Sequence, residues 1–235
     1  VLYESTYYGI SGLGDDSLYH HGIKGQKWGV KNGPPYPLSR KTNPVGNTKD
    51  QSIKRKLSAV RGLSNELDNE WTYGVIHNGK RINTEQEDFD WNNYRTLPLD
   101  QLKKEKIGTC WDFVNYQHNE LNKAGIKNDP YLVMMDLSTK EDPDRIITHT
   151  FTTFDLGGQK YWLESAMYPK RGIHKISDFT EVAASVKSQY TDKQKPYSIF
   201  KYNPEGMDAG LTGDQFIEKA TEGNWVMDVN NKRRR

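Results

Sequence analysis

The sequence predicts an α+β domain carried behind an extended, polar N-terminal arm, and three observations predict it. Residues 51–70 keep a helical apolar stripe, Ile53, Leu57, Val60 and Leu67, among charges of both signs. From Trp71 onward, short strand patterns alternate with short helical ones. Before residue 51 neither period is sustained, and Pro34, Pro35, Pro37 and Pro44 fall among Asn, Gly, Ser and Thr. Four units follow: an arm and linker over 1–50, an amphipathic linking helix over 51–70, a mixed helix-and-strand domain over 71–224, and a basic tail over 225–235.

Taken in order, Trp71 to Ile76 reads as a strand, with a hairpin turn at His77-Asn78-Gly79-Lys80 and Arg81-Ile82 returning. A short helix occupies 99–105. A longer one begins near Cys110, where Thr109 and Asp112 have capping-box spacing, although Glu or Gln is the usual partner. Trp111, Val114, His118 and Leu121 recur at helical spacing beyond it, and Ala124-Gly125 stops the run. Strands are expected at 131–135, 146–154, 161–164 and 198–202, and short helices at 179–186 and 213–220.

Composition narrows the function. Hydrophobic content of 34% and a mean hydropathy of −0.91 leave part of the 235 residues extended or solvated. A net charge of +2 and the lack of a basic, aromatic-interleaved stripe argue against a nucleic-acid partner. The closing run Lys232 to Arg235 is expected to be a solvated tail. A single cysteine excludes an internal disulfide and a Cys-rich zinc site. His20-His21 has no acidic or thiol companion, so no metal and no cofactor are expected. The longest aliphatic run, Leu132 to Met135, is too short for a membrane span, and no signal peptide opens the chain. The expected molecule is soluble, not secreted by a signal peptide and not membrane-bound. The lack of an initiator Met suggests a processed N-terminus or a longer product.

Cys110 carries the chemistry. As the first residue of a helix it meets unpaired N–H groups and the positive end of the dipole, where an anion is favoured. A second constellation lies on the hairpin 147–164. A two-residue loop at Leu156-Gly157, or a four-residue loop over 155–158, sets His149 directly opposite Glu164 on one face. Opposed Cβ atoms there lie roughly 4.5–5.5 Å apart. Loops of three or five residues would shift that register. A thiolate nucleophile, a histidine and an orienting carboxylate suit acyl transfer at an amide. The Cys110 N–H would serve as one oxyanion donor, worth roughly 2.7–4 kcal/mol. For a second donor, Lys103 to Lys106 offer no suitable group, and Trp91, Asn92, Asn93 and Tyr94 are the candidates.

Two resemblances add to this reading. The string HHGIKGQKWGV, at His20 to Val30, resembles a short HxGxKGxKWGV peptide near the ends of bacteriophage structural and head-associated proteins. It implies a phage or prophage origin, in the virion or in the host cytoplasm during assembly. Residues 18–30 would then dock on a phage structural protein through Tyr19, Ile23, Trp28 and Val30. The blocks IGTCWDFV, THTF, KYWLES and RGIH, spread over about residues 71–224, resemble the transglutaminase-like cysteine peptidases of the papain-like superfamily. This resemblance implies a Cys110–His149–Glu164 triad, with the nucleophile-bearing helix packed on an antiparallel sheet and a protein or peptide substrate. The third member in transglutaminases proper is usually Asp, so the longer Glu164 requires a different imidazole position. Trp111, Arg171 and His174 fall in the matching blocks as substrate-side contacts, or, for the last two, as structural anchors. The implied reaction is peptidase, amidase or deamidase chemistry, or amine transfer. Two other classes stay open, an idle virion component using the same fold and an effector aimed at a host or competitor protein.

Overall fold

The computed structural model describes residues 48–84, 86–137, 140, 146–168, 170–190, 197–222 and 225–228. The proposed arm, including Tyr19, Ile23, Trp28 and Val30, lies outside them apart from residues 48–50, as does the tail beyond 228.

The fold is mixed α+β, built on a six-stranded antiparallel sheet. Helix α1 (Thr48–Glu70) opens it and buries Val60, Leu63 and Leu67. These pack with Trp71, Phe113, Tyr116 and Phe154, so α1 contributes to the core rather than acting only as a link. The strand expected over 71–76 is split in two. Strand β1 (Thr72–Tyr73) runs parallel to β4 (Ile107–Gly108), whereas β2 (Val75–His77) pairs with β3 (Lys80–Ile82). Gly74 is the break, since a Cβ there would sit 2.1 Å from the Ile82 carbonyl oxygen. Asn78 and Gly79, both at positive φ, make the two-residue turn of the β2–β3 hairpin.

Helix α2 (Leu99–Glu105) leads through β4 into α3 (Cys110–Lys123). The main sheet contains β5 (Asn128–Asp136), β6 (Ile146–Leu156), β7 (Gln159–Glu164), β8 (Gly172–Ile176), β9 (Tyr197–Lys201) and β10 (Trp225–Asp228). Their order is β10-β9-β5-β6-β7-β8. Because β10 pairs with β9, the first four residues of the expected tail belong to the sheet. Helices α1 and α3 cover one face over Phe154, Tyr161 and Leu163. Helix α5 (Gly213–Thr221) packs Phe216 and Ala220 with Val114 of α3 and Leu132. Helix α4 (Phe179–Tyr190) sets Val182, Ala183 and Val186 against Tyr131, Phe151 and Trp162, which point the other way along their strands.

Candidate active site

The start of α3 is fixed by a buried aspartate. Thr109 is the N-cap, and a capping box closes with Asp112. The Asp112 carboxylate accepts from the Thr109 N–H at 2.9 Å, the Tyr94 hydroxyl at 2.9 Å, the Thr109 hydroxyl at 3.1 Å and the Leu97 N–H at 3.2 Å. Burial raises its pKa, and these hydrogen bonds only partly oppose that. The shorter acid must fold tightly back over the chain, which explains Gly108. A Cβ at residue 108 would sit 2.5 Å from the Asp112 Cβ. Cys110, the first helical residue, is buried at 6% exposure. The buried stripe of α3 is Cys110, Phe113, Val114, Gln117 and Leu121, rotated from the expected one, with Trp111 and His118 at its margins.

Strand β1 places Tyr73 beside this helix start, with Tyr73 opposite Gly108. The Tyr73 side chain lies close enough to Cys110 for the backbone and side chain of that residue to act on its phenol. Burial first, and then the charge of Cys110, holds the phenol well above its ordinary pKa. No sequence pattern singled out Tyr73. Its place depends on the parallel β1–β4 pairing between distant segments.

His149 and Glu164 meet, although not in the expected register. The β6–β7 turn is Gly157-Gly158, both at positive φ, with Leu156 opposite Gln159. Relative to the expected loops this slides the pairing by two residues. Side chains alternate with a period of two, so Glu164 stays on the His149 face but becomes a diagonal neighbour. The longer glutamate spans the diagonal, and His149 Nε2 lies 2.9 Å from Glu164 Oε2. The ladder ends at Thr152–Leu163, so at His149 strand β6 is paired only with β5, through Val133.

The rest of the Glu164 carboxylate is held by main chain. Its Oε1 accepts from the N–H groups of Ser165 at 3.0 Å, Ala166 at 2.8 Å and Met167 at 2.8 Å. Burial works to raise the Glu164 pKa. The His149 charge and these hydrogen bonds outweigh it, and the pKa is lowered. For His149, burial works to lower the pKa. The Glu164 charge, a hydrogen bond with the Cys110 side chain and the Glu164 hydrogen bond reverse this and push it up to about 10. With Nε2 committed to Glu164, Nδ1 is the ring nitrogen left for the thiol. At the C-terminal end of α4, Tyr190 has its pKa raised by burial and by the charges of Cys110 and Glu164.

The other candidates are placed differently. Trp91 and Asn93 lie on a 3₁₀ turn capped by Asp90, and the Asn92 and Asn93 amides donate to the Asp90 carboxylate. Trp91 is half exposed and touches Tyr94 ring to ring at 6.2 Å. The Tyr94 hydroxyl donates to Asp112, so it supports the helix start rather than facing an oxyanion. Trp111 stacks on Phe216 at 4.2 Å, against α5. Arg171 lies over the Tyr168 ring at 5.4 Å. His174 Nε2 bonds the Lys170 carbonyl at 2.7 Å and packs on Trp162, the framework role among its expected alternatives.

Among the described residues, no group of three or more His, Cys, Asp or Glu is arranged to hold a metal ion. No family model matches the chain, and no curated protein matches it.

Proposed function

We propose that the chain is a cysteine hydrolase acting on an amide bond, with Cys110 as nucleophile, His149 as acid and base, and Glu164 as its orienting carboxylate. One observation carries this reading. A buried imidazole is bonded at 2.9 Å to an anchored carboxylate, and its pKa is raised by that carboxylate and by the side chain of Cys110, the only thiol in 235 residues. The Cys110 sulfur attacks the acyl carbon while its proton is held on His149. The imidazolium then protonates the leaving amine as the C–N bond breaks, leaving a thioester on Cys110. Water, giving its proton to His149, attacks the thioester and returns the free thiol and a carboxylic acid. The Cys110 N–H is one oxyanion donor. Tyr73, kept protonated and adjacent to that N–H, replaces Trp91, Asn93 and Tyr94 as the second. The buried helix start against an antiparallel sheet also supports the finer reading of a papain-like, transglutaminase-like fold. The peptide at residues 20–30 supports placing the protein with a phage particle.

Iodoacetamide alkylation tests the core of this proposal, read by mass as one adduct. An activated thiol reacts rapidly at pH 6, and His149→Ala should slow that reaction at least about tenfold. Cys110→Ala should abolish labelling while leaving the fold intact. Equal alkylation rates in the native protein and His149→Ala would overturn the proposal.

A further inference from the structure

Gln117 is a polar side chain on the apolar stripe of α3, and it is 1% exposed. It lies seven residues after Cys110, two helical turns and roughly 10 Å along the same face. Its Nε2 donates to Ser165 Oγ at 2.9 Å, and Ser165 is equally buried. Ser165 directly follows Glu164 and contributes one of the three N–H groups on its Oε1. These links join the two parts of the site: Cys110 to Gln117 through the helix, Gln117 to Ser165, and the adjoining Glu164 to His149.

Packing alone does not account for this amide. Leu121 and Phe113 fill the same stripe without polar atoms, and a leucine at 117 would bury no polar group. Gln117 Oε1 instead has no hydrogen-bond partner among the described residues, a cost that an apolar core avoids. A buried polar pair does fix relative position, because only one arrangement satisfies it. The two elements it joins are the helix bearing the thiol and the turn bearing the carboxylate.

We propose that Gln117 and Ser165 are positioning residues that hold the nucleophile helix and the Glu164 turn in one alignment, a role that rests on the hydrolase reading above. The test uses Gln117→Leu, Ser165→Ala and the double variant in the full chain. Iodoacetamide alkylation of Cys110 is followed from pH 5 to 9, beside thermal unfolding. Each single variant should slow alkylation at pH 6 roughly tenfold, within the up to about 100-fold that misplacing a catalytic group by about 1 Å can cost. The double variant should lose no more than either single, as expected when both changes break one contact. Should Gln117→Leu fail to fold, Ser165→Ala, which keeps the backbone N–H on Glu164, decides the matter alone. A lower melting temperature with an unchanged alkylation profile would show a purely structural pair and overturn the proposal, as would additive losses. Failure of the hydrolase reading is seen separately, because the native protein would then react no faster than His149→Ala.

Discussion

Glu164 and His149 are both buried ionisable groups whose mutual charge and hydrogen bonding outweigh the opposing effect of burial. Their linkage to folding therefore has opposite signs. The folded-state pKa of His149 lies above its ordinary 6.5, so its contribution is complete below about pH 6.5 and is lost as pH rises towards about 10. The pKa of Glu164 is depressed below 4.5, so its contribution is present above that pH and is lost as pH falls through the lowered value. The difference in melting temperature between the native protein and Glu164→Gln should be largest between about pH 4.5 and 6.5 and shrink towards pH 10. A difference that instead stays constant up to pH 10 would mean that the imidazole is held neutral. The pair was legible in the sequence because alternation puts both residues on one face. The three N–H groups on Glu164 were not, since backbone donors can come from any residue type.

The β4–α3 junction depends on close approach. Gly108→Ala would drive a methyl group into the root of Asp112, which lies buried among four donors and has nowhere to withdraw. We expect a loss of about 1–3 kcal/mol in denaturant unfolding, the usual cost of overpacking, together with slower alkylation of the displaced Cys110. Unchanged stability would show that the helix start can shift freely. The existence of α3 and its cap could be read from Thr109, Asp112 and Gly125, because capping follows fixed spacings. The register of the β6–β7 hairpin could not. Leu156-Gly157 and Gly157-Gly158 are both plausible two-residue turns, and the second prevails with both glycines at positive φ. Gln117 was also missed, because the expected stripe ran through Trp111, Val114, His118 and Leu121 and left position 117 off it.

Among the described residues, the three hydrophobic clusters draw on positions from Ile53 onward. A protein beginning at residue 45 should therefore unfold cooperatively and keep the alkylation rate of Cys110, as judged by thermal denaturation and mass-detected labelling. Loss of cooperative unfolding would mean that earlier residues complete the core. The α+β class was visible from the alternating periods, whereas long-range pairings such as β1–β4 and β9–β10 depend on contacts that no local pattern encodes. The solitary thiol also governs how the protein withstands peroxide. A sulfenic acid formed on Cys110 finds no second cysteine among the 235 residues with which to condense. Rescue must come from an external thiol small enough to reach a sulfur that is only 6% exposed. Where such a thiol is scarce, a second oxidation carries the sulfur on to the sulfinic acid, which is not reduced back.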